Sequence, residues 1–270
     1  MIDLLFDPMF RVPFFTGLIL APLTAILGAL LRLRSEWLAA LAYAQLAAAG
    51  GIVAALFHLP LLLGAVIVAV LIAAGKGLLI RIGNDHYALL VLLGWTVAMV
   101  AAGYSAHGDM VGRALLDGQL YFVTVSHLVA AVVLLIVAVL LLRWLMPVLL
   151  RDYFFPDYSS ANGRHSRLYG MIFDVLVVAC VAVTATALGV MSTFALVFIP
   201  PWAAWKLATG WRQVLSISAV IAVFCYLAAY ILAIILDQAF GPVLAGILVL
   251  SASLRLLPKQ VFDRLPLSNN

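Results

Sequence analysis

Charge is what this chain has least of. Only 10% of its 270 residues are Asp, Glu, Lys or Arg, whereas 67% are apolar, and the mean hydropathy is +1.21. A soluble domain carries roughly 25% charged residues and about half apolar ones. A chain this poor in charge cannot clothe itself in polar surface, so it reads as an integral membrane protein. Cysteine is almost missing too. Cys180 and Cys225 both fall inside apolar runs and no CxxC spacing occurs, so they read as packing residues rather than a disulfide or metal pair. The formal charge is +4, but the basic residues are scattered over short loops and mark no nucleic-acid partner.

Motifs of self-powered chemistry are missing as well. The nearest approach to a phosphate loop, AAGKG at 73–77, has the wrong spacing and lies within an apolar run. No His-Glu-x-x-His pair, Ser-His-Asp set or zinc-ligand cluster is visible, which leaves no constellation for a membrane enzyme. Mid-membrane charge is confined to Asp174, near the start of one run, and to Lys76 and Arg143 near run ends, where they can snorkel. A stand-alone secondary transporter or channel calls for repeats with broken helices and a polar mid-membrane site, and no internal repeat is apparent. Whatever crosses here draws its energy from elsewhere, which points to a subunit.

What is present is apolar length. A helix needs about 20 apolar residues to cross the hydrocarbon. That criterion predicts nine spans, at 13–32, 37–57, 60–80, 87–106, 127–146, 171–190, 191–209, 214–236 and 241–257. The seventh contains Pro200 and Pro201 and the ninth is short, so eight follow if one of them only dips into the membrane. The fold class is therefore all-α, a polytopic transmembrane bundle forming a single domain over 1–270. Thirteen of the fifteen Lys and Arg residues then fall on one side, leaving Arg11 and Arg113 on the other. The positive-inside rule places the N-terminus outside and the C-terminus in the cytoplasm. The opening MIDLLFDPMFRVPFF puts acidic residues before its first apolar run and shows no small-residue cleavage site. It reads as mature sequence rather than a signal peptide.

Three stretches stand out. The first, FFPDYSSANGRHSRLYG at 154–170, lies on the cytoplasmic side. Asp157 after Pro156 is a plausible helix start and Gly163 a stop. A short capped helix there, within a coupling element at 151–167, would suit docking into a partner's groove; an ordinary loop is the alternative. The second is the run around Pro200, about eleven residues beyond Gly189 and near mid-membrane. A proline there frees a carbonyl, tolerable only against neighbouring helices or a wet cavity. The third is LAALAYAQLAAAGG at 38–51, where nine of fourteen residues are Ala or Gly and Tyr43 and Gln45 stand in the middle. Small residues allow close helix packing, or leave room along a translocation path that Tyr43 and Gln45 would solvate.

Taken in order, these pieces resemble the membrane permease of zinc/manganese/iron-type ABC importers. Asp157, Ala161 and Gly163 match its cytoplasmic element. Gly189, Val190, Ala195, Leu196, Ile199 and Pro200 match its Gly-Val-x-x-x-x-Ala-Leu-x-x-Ile-Pro. Gly118, Gln119, Leu120 and Ser126 match its Gly-Asp-Leu-Leu-x-x-Ser loosely, and Leu236, Asp237 and Gly241 its Leu-Asp-x-Pro-x-Gly, with Ala239 for the proline. GLILAPLTAILGALLRLR matches its opening run. The resemblance implies the permease subunit of an importer of a divalent cation, zinc or manganese first, in the bacterial inner membrane. It also implies a second permease copy, a cytosolic ATP-binding subunit docked at 157–163, an extracytoplasmic binding protein, no bond chemistry and no cofactor of its own. In that family the second span carries an Asp and a His implicated in passing the metal. Here those positions are Leu41 and Gln45, which leaves a metal chelate or small organic solute as an alternative cargo. Replacement ligands are sought outside: His58, His107, Asp109, Asp117 and His127 fall at the outer end, where such groups would attract a cation, or are solvated loop residues. His86 and His165 read as cytoplasmic loop residues.

Overall fold

The computed structural model describes residues 8–78, 83–118, 123–155 and 166–253. Every regular element among them is helical: α1 (Pro8–Leu33), α2 (Ala39–Leu56), α3 (Leu61–Leu78), α4 (Asn84–Gly103), α5 (Ala106–Asp117), α6 (Val125–Phe154), α7 (Ser166–Leu188), α8 (Val190–Leu207), α9 (Trp211–Leu236) and α10 (Phe240–Ala252). Seven of them (α1, α2, α4, α6, α7, α8 and α9) are long and apolar enough to cross a membrane; α3 and α10 are shorter apolar helices. These nine coincide with the nine predicted spans, the last of which extends past the described residues. The tenth, α5, lies where the sequence suggests only a loop. It is short, at 12 residues. Ser105 caps it by accepting from the Gly108 N–H, and Gly118 ends it in the left-handed conformation at φ 67.

The Ala/Gly-rich stretch becomes α2, and α2 is the centre of the bundle. Fourteen of its 18 residues are buried, and it packs against α3, α4, α5, α7 and α8. A helix with five neighbours has room for small side chains at most of its positions. The small residues set how closely those neighbours come. A methyl group on Gly64 of α3 would overlap the Gly50 carbonyl of α2, and one on Gly94 of α4 would sit 2.9 Å from the Gln45 backbone.

The proline run is buried against neighbouring helices. Pro200 and Pro201 are buried inside α8. Because Pro201 has no N–H, it leaves the Val197 carbonyl, four residues earlier, without its helical donor. That carbonyl lies against Gly28 of α1, where any Cβ would overlap it. The glycine lets the two backbones touch at the point where proline has freed an oxygen.

At the opposite end of the bundle, three glycines from the resembling motifs meet. Gly189, at φ 91, makes the one-residue junction between α7 and α8, the tight turn its position suggests. Its missing side chain faces Gly118, and a Cβ on Gly118 would come within 3.0 Å of Gly241. Ser192 Oγ ties the group together by donating to the Gly241 carbonyl at 3.0 Å. Motifs spread over more than a hundred residues thus form one close-packed knot.

Candidate transport site

Two side chains of α2 carry hydrogen-bonding groups into the core. Tyr43 is 1% exposed; its hydroxyl lies 3.3 Å from that of Tyr87 on α4, and the two rings meet edge to face with centroids 5.8 Å apart. Gln45 is equally buried, and its Oε1 has no hydrogen-bond partner. Tyr43, Leu46, Val68, Ile72, Lys76 and Tyr87 line an apolar cavity of about 300 Å³ between α2, α3 and α4. Leu41 is half-buried against the core. Neither Leu41, Gln45 nor Pro200 lines that cavity; Tyr43 does.

The cavity ends on an ionic cluster. Asp174 Oδ1 on α7 accepts from Arg34 Nη1 at 2.9 Å and from Lys76 Nζ at 3.0 Å. Lys76 also donates to Glu36 Oε2 at 2.6 Å, and Arg34 closes the ring with Glu36 at 3.6 Å. Two cations and two carboxylates cancel. They come from the end of α1, the connection to α2, and from α3 and α7. Lys76 therefore does not snorkel to open water: its side chain is only 11% exposed and that of Asp174 only 7%. Burying ions is costly unless each is paired and hydrogen-bonded, and here each carboxylate has two cations. The Lys76 ammonium also lies over the Tyr87 ring, 5.7 Å from its centroid, which joins the ring of charges to the tyrosine pair.

Sequence reasoning misses Glu36 altogether and treats Asp174, Lys76 and Arg34 separately. The signal was present, since all four stand at span ends assigned to one side. Their meeting also agrees with the predicted alternation of the spans, which requires the end of α1, the end of α3 and the start of α7 to share a face.

The outer candidates are dispersed. His107 and Asp109 are exposed on the first turn of α5, and Asp109 is held by Arg113 at 3.0 Å. Asp117 is the last residue of α5. His127 is buried and reads as a capping residue, its Nδ1 accepting from the Thr124 backbone N–H at 3.3 Å. His86 is exposed at the start of α4. Asp157, Ala161, Gly163 and His165 lie outside the described residues. Among the described residues no three His, Cys, Asp or Glu side chains converge to hold a metal ion.

The orphan amide of Gln45 makes a simple test. A buried polar group without a partner costs about 1–3 kcal/mol. Gln45→Met, similar in volume and apolar, is expected to raise the thermal unfolding midpoint of the purified protein in detergent. A lowered midpoint would mean that Oε1 is satisfied in the folded protein.

A bundle of long apolar helices, closed at one end by a neutral ion ring and crossed by a buried tyrosine pair, is an integral membrane protein built around α2. Residues 6–257 match the family model described as the ABC 3 transport family. The chain belongs to that family and is a permease of the metal-type ABC importers that its motifs resemble. Among solved structures it is similar to a chain of "PsaBC from Streptococcus pneumoniae in complex with Fab", at 16% identity and a TM-score of 0.82, over 99% of this chain and 98% of that one. At that identity the likeness shows the shared fold. No curated protein matches the chain.

Proposed function

We propose that this permease imports a divalent cation of the zinc or manganese class across the bacterial cytoplasmic membrane. It would act as one of two identical copies, powered by a cytosolic ATP-binding subunit and loaded by an extracytoplasmic binding protein. Orientation follows the thirteen-to-two asymmetry of basic residues, with the N-terminus outside. The observation that supports the reading most is the place of α2. It is the helix whose equivalent carries the family's metal-passing pair, and here it lies at the centre of the bundle, its Tyr43 lining a cavity that ends on charge. The chain's work is to rock between packings that open alternately to the two sides. The ring joining Arg34, Glu36, Lys76 and Asp174 ties α1, α3 and α7 together in the packing described.

One observation favours a second cargo. Leu41 and Gln45 replace ionisable ligands, and the Tyr43 cavity is apolar, which suits a metal chelate or small organic solute better than a bare ion. Uptake by the reconstituted transporter, permease plus ATPase plus binding protein in vesicles, separates the two. ATP-dependent accumulation of free zinc or manganese supports the bare ion; accumulation only in the presence of a chelator supports the chelate; accumulation of metal in neither form would overturn the metal-import reading.

The ATPase contact is proposed at 151–167, where the sequence leads us to expect Gly163 to stop a short helix. Ala161→Arg and Gly163→Trp are expected to lower copurification of the ATPase at least tenfold while the permease stays in the membrane. Unchanged copurification in both variants would remove the docking role of this segment.

A further inference from the structure

The far end of α2 carries a pair of groups that the importer reading does not use. His58 follows α2, about 27 Å along the helix from its start at 1.5 Å per residue. It occupies the residue just past the cap, in a Schellman arrangement: its N–H donates to the Ala55 carbonyl at 3.0 Å, and the Leu59 N–H donates to that of Ala54 at 2.9 Å. Its φ is 56. That left-handed position is most often taken by glycine; histidine is among the side chains that visit it more readily than most, as Ser35 and Asp237 also do in this chain. The turn fixes where the imidazole leaves the helix end.

The partner is His107. The two exposed rings face each other at 29°, with centroids 6.4 Å apart. The backbone beneath them is fixed. Gly108 seats the first turn of α5 tightly against the Ala101 and Ala102 carbonyls and against Leu56, two residues before His58. With Zn–N distances of about 2.1 Å, two imidazoles on one ion bring their ring centres to roughly 5–6 Å. The stacked rings show each other their faces, whereas imidazole lone pairs lie in the ring plane, so both exposed side chains must turn about their torsions to aim a nitrogen at one ion. Asp109 is turned to Arg113, so it is no third ligand in this arrangement.

We propose that His58 and His107 form a two-imidazole docking site for a borderline divalent cation at the outer mouth of the permease. Imidazole nitrogen suits zinc, nickel and copper, whereas manganese, calcium and magnesium prefer carboxylate and carbonyl oxygen. Structural zinc sites are closed by four protein ligands. Two leave half the coordination sphere to water, which makes a site that takes an ion and gives it up again. As a loading point ahead of α2, the site rests on the importer reading and narrows its cargo toward zinc-type ions.

The test uses untagged full-length permease in detergent, titrated with Zn2+ against a chromophoric chelator. His58→Asn keeps a residue that tolerates the left-handed backbone; His107→Ala removes the other ring. One Zn2+ per chain is expected to bind at least tenfold more tightly to the unmodified protein than to either variant. The double variant should be no weaker than the singles, because one ion uses both rings. Mn2+ should bind at least tenfold more weakly than Zn2+. Unchanged affinity in the singles, additive partial losses, or equal binding of Mn2+ would each overturn the site. Absence of any metal uptake by the reconstituted unmodified transporter would overturn the metal-import reading while leaving this binding result standing, so the two failures are distinguishable.

Discussion

Asp174→Asn should be among the most damaging single substitutions in this chain. The carboxylate accepts from both Arg34 and Lys76, and its loss leaves a buried cluster with two cations and one carboxylate. Breaking a buried ion pair by removing one partner costs about 3–5 kcal/mol, because the remaining charge is uncompensated. A loss that size is a large part of the stability of most domains, so the variant should unfold at a clearly lower temperature and give little monodisperse protein. Adding Lys76→Met to Asp174→Asn leaves Arg34 with Glu36, one cation and one carboxylate. The double variant should therefore be more stable than the sum of the two single losses predicts, by about 1–3 kcal/mol. Thermal unfolding of the four proteins in one detergent measures this coupling. Strict additivity, or an Asp174→Asn variant as stable as the unmodified chain, would show that the ring does not hold α1, α3 and α7 together.

Much of the fold was legible because hydrophobic length is a strong signal in lipid. Every predicted span has its helix among the described residues, and Gly189 makes the turn its position suggests. α5 escaped because 12 residues with His107, Asp109 and Arg113 among them are neither long nor apolar enough to register; its evidence was local, a Ser105 cap and a Gly118 stop. The site was less legible than the fold. Tyr43 and Gln45 were conspicuous as polar groups among alanines, but nothing in one helix tells which neighbour each will meet. Tyr43 met Tyr87, whereas Gln45, whose own backbone lies against Gly94, kept an unpaired oxygen. The ion ring needed four residues from distant spans to converge, and Glu36 resembled an ordinary loop charge. Of the two readings of the small residues, the structure bears on packing: glycines of α3 and α4 let those helices approach α2 closely, while Tyr43 lines the cavity.

Gly64→Ala tests the packing half of that division, and its effect should be large for one methyl group. In most exposed helices exchanging glycine for alanine stabilises, by roughly 1 kcal/mol of helix propensity. At Gly64 the new methyl would overlap the Gly50 carbonyl oxygen and Ala54 Cβ. Backbone cannot rotate aside as a side chain can, so α3 must shift away from α2. Overpacking of this kind costs typically about 1–3 kcal/mol, occasionally more. The displacement also has a direction of consequence. α3 carries Lys76, whose ammonium must stay within hydrogen-bond reach of Glu36 and Asp174, so lifting α3 strains the ring as well as the crossing. Gly75, on the same helix with open space around its Cα, supplies the control. Gly75→Ala should keep or raise the unfolding midpoint, whereas Gly64→Ala should lower it and weaken the coupling between Asp174 and Lys76 in the double-variant cycle. Equal behaviour of the two alanine variants would mean that α2 and α3 are not held at the distance described, and that the small residues of α2 serve something other than close packing.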